Sequence, residues 1–341
     1  MITFKPKQVT KRMLAVLPER SRDVLTKRYG LGPDTETYTL ESIGQAYGIT
    51  RERVRQIENH GLQAIQKSDT YEDHLPLFEE LLTHIKNLGG GIVAEHIMLD
   101  DLSQDPATRN HLFFLMVLSD LLFRSRENPN YEHRWYTEKQ IAEAVENSLR
   151  KVQRTLKRDE LISEEEILTR FRAELHEVAE PYDDEVLKRW LRMSKRIGRN
   201  PLGDWGPADS PNVRVKGIRD YAYLAVKRHG SPMHFKEVAQ AIYDLFGHKA
   251  HTATTHNELI KDDRFVLVGR GLYALTEWGY SPGVVKEVLR ELLNNEGPLT
   301  REEIIDKVRK ERYVKDNTII VNLQDTTHFK RLANGAYALA E

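Results

Sequence analysis

Thr50-Arg51-Glu52-Arg53-Val54-Arg55-Gln56-Ile57-Glu58 is the stretch on which the reading of this chain turns. Thr50 suits a helix N-cap, because its hydroxyl accepts an amide of the first turn. Val54, Ile57, Gly61 and Ile65 recur three or four apart, the spacing of one buried stripe along a helix. Opposite that stripe fall Arg51, Glu52, Arg55, Gln56 and Asn59. Just upstream, Thr39-Leu40-Glu41-Ser42-Ile43-Gly44-Gln45-Ala46-Tyr47 predicts a shorter capped helix, and Gly48-Ile49 a tight break. The layout is a helix-turn-helix. A helix with Arg, Glu and Gln on its first exposed turns suits the major groove, where Arg forks to guanine, Gln pairs with adenine and Glu accepts from cytosine.

With Leu17-Pro18-Glu19-Arg20 and Arg28-Tyr29-Gly30-Leu31 added, these motifs resemble region 4 of sigma-70-type initiation factors over about residues 8–67. The resemblance implies a module that docks on the upstream promoter element and on the flap of RNA polymerase. It further implies that Arg51, Glu52 and Gln56 face bases of duplex DNA. Thr50, Arg53, Arg55 and the Leu40 backbone would hold phosphates, with Arg28 a further phosphate candidate. The chain departs from the family after the motif, where Asn59-His60-Gly61-Leu62-Gln63-Ala64-Ile65-Gln66 replaces a basic helical tail. Phosphate contacts are lost there, and a mid-helix glycine, about 1 kcal/mol worse than alanine, predicts a recognition helix that frays or ends early. No aromatic-rich segment resembling the promoter-melting region precedes Val9 or follows downstream, so a complete initiation factor is not expected.

Charge supports a polyanion-binding head. The 51 basic residues nearly balance the 52 acidic ones over the whole chain, yet residues 1–67 hold 12 Lys/Arg against 7 Asp/Glu and residues 68–140 hold 6 against 13. A basic patch attracts a polyanion, and an acidic neighbour restricts the face that meets it. The 341 residues suggest two or three domains at roughly 150 residues each, and a 40% hydrophobic content suits a folded chain. The longest apolar run, 112–118, is far shorter than the ~20 residues that span a bilayer, and the N-terminus lacks a signal-peptide core. No membrane contact is expected, and the expected location is cytoplasmic and nucleoid-associated. The absence of cysteine excludes disulfides, thiolate nucleophiles and Cys-type zinc sites.

Internal similarity organises the remainder. Ser231-Pro232-Met233-His234-Phe235 leads to Phe265-Val266-Leu267-Val268-Gly269-Arg270-Gly271-Leu272-Tyr273-Ala274-Leu275. Gly297-Pro298-Leu299-Thr300-Arg301 leads likewise to Phe329-Lys330-Arg331-Leu332-Ala333-Asn334-Gly335-Ala336-Tyr337-Ala338-Leu339. Each copy reads as helix, capped helix, helix and a two-strand hairpin turning at Gly-Arg-Gly or Ala-Asn-Gly, which is a winged helix. Thr300 with Glu303 forms a capping box, and Ser163-Glu164-Glu165-Glu166 repeats the pattern. The 217–279 copy resembles the HARE-type helix-turn-helix module of the delta subunit of bacterial RNA polymerase, of restriction systems and of chromatin proteins. Residues 75–136 and 137–212 read as two further units, ending near Trp135-Tyr136 and Trp205, and residues 112–123 as a buried helix.

Lys188, Arg189, Arg192, Lys195, Arg196 and Arg199 crowd twelve residues, with Asp184 placed to cap the helix beneath them. They are secondary phosphate-contact candidates; the alternative is a solvated basic face balanced by Glu164, Glu165 and Glu166. Enzyme signatures are sparse. His248, His251 and His256 lack a carboxylate to complete a metal triad, Gly89-Gly90-Gly91 lacks the Gly-Lys-Ser/Thr of a phosphate loop, and no Gly-x-Ser-x-Gly occurs. No catalytic residue, metal or cofactor is expected.

The expected fold is mainly α, an N-terminal helix-turn-helix followed by tandem winged-helix modules with small β-hairpin wings. The expected divisions are 1–70, 75–136, 137–212, 217–279 and 282–341. The expected function is sequence-specific duplex DNA binding in bacterial-type transcription regulation. The alternatives are an RNA polymerase accessory subunit seated on the flap and a DNA-binding component of a restriction or defence system.

Overall fold

A computed structural model describes residues 2–280 and 285–340, so positions 282–284 and 341 of the expected last module lie outside it. The chain divides into two compact units, residues 1–199 with 203–209, and residues 200–202 with 210–341.

The first unit opens with α1 (Pro6–Ala15), α2 (Glu19–Tyr29), α3 (Leu40–Tyr47), α4 (Arg51–Gln66) and a short α5 (Asp69–Glu72). Next come α6 (Leu75–Gly89), β1 (Ile92–Ala94), α7 (Glu95–Leu102), α8 (Pro106–Leu118), β2 (Phe123–Ser125) and β3 (Arg134–Tyr136). These strands form an antiparallel sheet in the order β1-β3-β2, with Trp135 opposite both Val93 and Arg124. The unit closes with α9 (Lys139–Thr155), α10 (Glu164–Leu175), α11 (Asp184–Leu191), β4 (Ile197–Arg199) and β5 (Trp205–Pro207); Ile162 bridges to Trp205 as a vestigial third strand.

The second unit repeats the plan twice. Its first copy holds α12 (Ile218–His229), β6 (Met233–His234), α13 (Phe235–Phe246), α14 (Thr252–Lys261), β7 (Phe265–Gly269) and β8 (Leu272–Leu275), with sheet order β6-β8-β7. The second holds α15 (Val285–Glu296), α16 (Arg301–Glu311), α17 (Asp316–Leu323), β9 (Phe329–Arg331) and β10 (Tyr337–Leu339), with Leu299 bridged to Tyr337. All four copies follow a helix–strand–helix–helix–strand–strand order, the winged-helix plan. The strand after each first helix was missed in the sequence because one to three residues are too few to display a period of two.

Local chemistry accounts for most boundaries. Asp105 accepts from Thr108 N–H ahead of Pro106 at the first position of α8, and Thr300 with Glu303 closes a reciprocal capping box on α16. Three expectations change. Ser163 caps α10, but Glu166 turns its carboxylate to Arg170 rather than back to the cap. Asp183, not Asp184, caps α11, since its extended backbone aims the carboxylate at Val186 N–H, and Asp184 pairs with Arg172 at 2.8 Å. The buried helix expected over 112–123 ends at Leu118, whose carbonyl is taken by the Gln66 amide and the Tyr71 hydroxyl; Phe123 lies on β2, 50% exposed.

The helix-turn-helix shares its core with the next module. Met13, Leu17, Leu25 and Ile65 belong to one buried cluster with Phe78, Leu81, Phe114, Leu115 and Trp135. Here α8 lies against α1, α2 and α4, and the rings of Tyr29 and Phe114 meet edge-on at 5.2 Å. The Asn110 side-chain amide donates to the carbonyls of Gly30 and Thr35, both at 3.0 Å, tying the loop ahead of α3 to α8. The following module docks similarly: Trp190 of α11 donates from its indole to the carbonyls of Gly89 (2.7 Å) and Ile92 (3.1 Å).

Candidate nucleic-acid interface

Helix α3 starts where the Thr39 hydroxyl accepts from Ser42 N–H and ends at Gly48, whose φ of 64° is left-handed. The chain reverses at once. Thr50 accepts from Arg53 N–H at 3.2 Å, and α4 begins. A small core of Val24, Ile43 and Val54, flanked by Tyr38, Leu40, Tyr47, Ile49 and Ile57, fixes the angle between α3 and α4. Gly44 makes the closeness possible: a Cβ there would stand 2.7 Å from the Ile49 carbonyl oxygen.

Gly61 does not fray α4, which runs unbroken to Gln66. The glycine faces inward, and a Cβ on it would lie 3.2 Å from Leu25 Cδ1, so its helix-propensity cost accompanies a close crossing of α4 over α2. Val54, Ile65 and Gly61 are buried as the stripe requires. So is Glu58, unforeseen in the sequence. Its carboxylate accepts from the Tyr29 hydroxyl at 3.0 Å and lies 3.4 Å from Arg28 Nε. Burial and the adjacent carboxylate push the Tyr29 phenol far above its ordinary range, so it stays a donor.

The outer face of α4 is open. Arg51, Glu52, Arg53, Arg55 and Gln56 are all exposed, as are Asn59 and His60. Within that face the side chains pre-pair: Arg55 grips Glu52 bidentately at 2.6 and 2.8 Å, and Arg53 Nη1 donates to Gln56 Oε1 at 3.0 Å. The Arg55 bond holds the Glu52 carboxyl below its ordinary range and raises the guanidinium in turn. Arg28, Leu40 and Arg51 converge with Thr39 and Glu41 on a shallow dip at the start of α3. A helix N-terminus between two guanidinium groups suits a phosphate. Arg28 is nonetheless half-buried, its Nη1 donating to the Tyr38 carbonyl at 3.2 Å. Along α2, Arg20, Arg22 and Lys27 line a groove with Glu19, Asp23 and Tyr47, and the motif reading gave none of them a contact role.

The second basic cluster is dispersed. Lys188 pairs with Glu164 and Glu185, Lys195 with Glu127, Arg199 with Glu164, and Arg189 donates to the Leu88 carbonyl. Arg196 lies 3.4 Å from the Asn130 side chain. Arg192 forms the C-cap of α11. Among the described residues no group of three His, Asp or Glu side chains is arranged to hold a metal ion, and no helix is long and apolar enough to cross a membrane.

The Glu52 carboxylate is the main restraint on Arg55. Glu52→Gln is expected to tighten binding to random-sequence duplex severalfold at low salt, because Arg55 then meets a phosphate without giving up a carboxylate partner. Titrations at low salt check this; unchanged or weaker binding would mean that Glu52 does not restrain Arg55.

Residues 13–67, the helix-turn-helix with its supporting helices, match the family model "Sigma-70, region 4". The segment is a region 4-like helix-turn-helix. Among curated proteins it is 51% identical over 55 residues to RNA polymerase sigma factor RpoS of Coxiella burnetii, covering 16% of this chain and 15% of that protein. It is 50% identical over 54 residues to sigma factor SigA1 of Synechococcus elongatus, covering 16% and 13%. Against sigma factor SigA of a Bacillus species it is 43% identical over 60 residues, covering 18% and 16%. The chain thus spans about 15% of the length of such relatives. No solved structure matches it.

Proposed function

We propose that this chain is a sequence-specific duplex-DNA-binding protein of bacterial transcription regulation, reading bases through Arg51, Glu52 and Gln56 and holding the backbone through Thr50, Arg53, Arg55, the first turn of α3 at Leu40, and Arg28. It acts by binding, without bond making. The observation that carries this reading is the open outer face of α4, lined by base-compatible side chains and braced from behind by a core running into the next module. The region 4 match over residues 13–67 supports it independently. A head that serves only as a polymerase flap ligand is the weaker reading. Much of the apolar surface of α1, α2 and α4 is occupied by α8, and Val16 is the one exposed large apolar side chain among the head's described residues.

Selection of bound fragments from random duplex, at a stated salt concentration, tests the proposal directly. An enriched motif is expected. On that motif Gln56→Ala should cost ~1–3 kcal/mol of discrimination at one base pair. Arg53→Ala should weaken every sequence and, because it holds the Gln56 carbonyl, also loosen preference at the same position. Equal losses on chosen and random duplex for both variants would refute base reading by Gln56.

A further inference from the structure

In the first unit the third helix of each winged module is occupied by protein. Helix α8 lies under α1, α2 and α4, and α11 rests on α6 and β1. The last module of the second unit differs. On α17, Ile319 and Leu323 turn inward, while Asn317, Thr318 and Val321 are exposed, followed by exposed Gln324. Amides, a hydroxyl and one compact apolar group are the side-chain types that meet base edges and thymine methyls.

Charge is polarised to match. Residues 312–340 hold four Lys/Arg against two Asp/Glu. Both carboxylates are engaged by cations from the earlier half of the module: Asp316 by Arg309 at 2.7 Å and Asp325 by Lys286 at 2.9 Å. The stretch 326–340, which carries the wing, has Lys330 and Arg331 and no acidic residue. Cation excess therefore sits on the half formed by the third helix and the wing.

The neighbouring wing adds to this surface. Tyr313 N–H donates to the Val268 carbonyl at 3.0 Å, extending β7 outward, and buried Arg312 donates to the Leu267 carbonyl. These bonds set Arg270, at the tip of the β7–β8 hairpin, into one groove with Lys315 and Thr318 at the start of α17. Two exposed cations from separate modules flank one helix entrance, an arrangement that complements a phosphate backbone.

We propose that α17 is a second duplex-DNA contact, distinct from α4, in which Arg270, Lys315 and Arg331 hold phosphates and Asn317 and Thr318 touch base edges. It stands whether or not α4 reads sequence. A chain with two contacts grips more phosphates than its head alone, and the loss of the basic tail after α4 makes such help useful.

The test uses the full chain and random-sequence duplex across a salt series. Arg270→Gln with Lys315→Gln and Arg331→Gln is expected to reduce the slope of log K against log salt by about 2–3, at 0.9 per phosphate, and to weaken low-salt binding at least tenfold. Arg270→Lys with Lys315→Arg and Arg331→Lys should retain both. Wild-type slope and affinity in the neutralised variant, at unchanged thermal unfolding, overturn the proposal. Slowed acylation of Lys315 by an amine reagent when duplex is added gives a check on the unaltered protein, and unslowed reaction overturns it equally. Stronger dependence on these cations for a single strand than for duplex would overturn the duplex assignment. Running Arg51→Ala with Arg53→Ala in parallel separates the two sites: if this head variant binds as wild type while the neutralised variant does not, the α4 reading fails and this one stands.

Discussion

Phe114→Ala is expected to destabilise the first unit by about 3–5 kcal/mol and to abolish DNA binding through α4 at physiological temperature, although Phe114 lies on α8, away from the outer face of α4. The ring is fully buried and meets Tyr29 edge-on, in the cluster that joins Leu25 and Ile65 to the first winged module. Deleting it leaves a cavity beneath α2, and Tyr29 is the residue that holds Glu58 of α4. A typical domain has 5–15 kcal/mol in total, so the loss removes a large share. Urea unfolding followed beside duplex anisotropy measures both effects. A wild-type midpoint with wild-type affinity would show that the shared core does not brace the recognition helix.

The second large effect falls on Gly44. Alanine there places a methyl 2.7 Å from the Ile49 carbonyl and 3.4 Å from Arg51 N, both backbone atoms that cannot swing aside. The turn must open, which costs about 1–3 kcal/mol in overpacking. It also displaces the start of α4, where Arg51 and Glu52 stand. Affinity for the selected duplex should fall more than tenfold even in protein that remains folded. Gly48→Ala provides the contrast. Its φ of 64° penalises any Cβ by roughly 1–2 kcal/mol, yet no atom lies within 4 Å, so binding should survive once the chain is folded. Equal affinity for the two variants would mean that the spacing of α3 and α4 does not govern recognition.

Much of the head was legible because its determinants are local. Thr39 and Thr50 cap, Gly48 turns, and the stripe through Val54 and Ile65 buries, each within a few residues of sequence. What escaped depends on distant partners. Gly61 reads as a weak point until Leu25 is seen against it, and nothing in the linear sequence marks Glu58 for burial beneath Tyr29 and Arg28. Arg189 and Lys188 look like a phosphate grip in the linear chain, yet one donates to the Leu88 carbonyl and the other to Glu164. Asp184 was expected to cap α11, but the cap is its neighbour Asp183, whose extended backbone composition does not encode. The last two winged modules could be read through their hairpins and the first two only through the aromatic positions near their ends, whereas the docking of α8 and α11 follows from apolar faces whose partners no local pattern specifies.

The shared core also sets an order of events during synthesis. While the ribosome is still translating residues 70–105, Met13, Leu17, Leu25 and Tyr29 of the nascent chain have no α8 to cover them. At about 5–20 residues per second that interval lasts several seconds. A helix-turn-helix whose support ends at Leu118 cannot take its braced form until that residue has left the exit tunnel, and over those seconds its apolar underside stays uncovered.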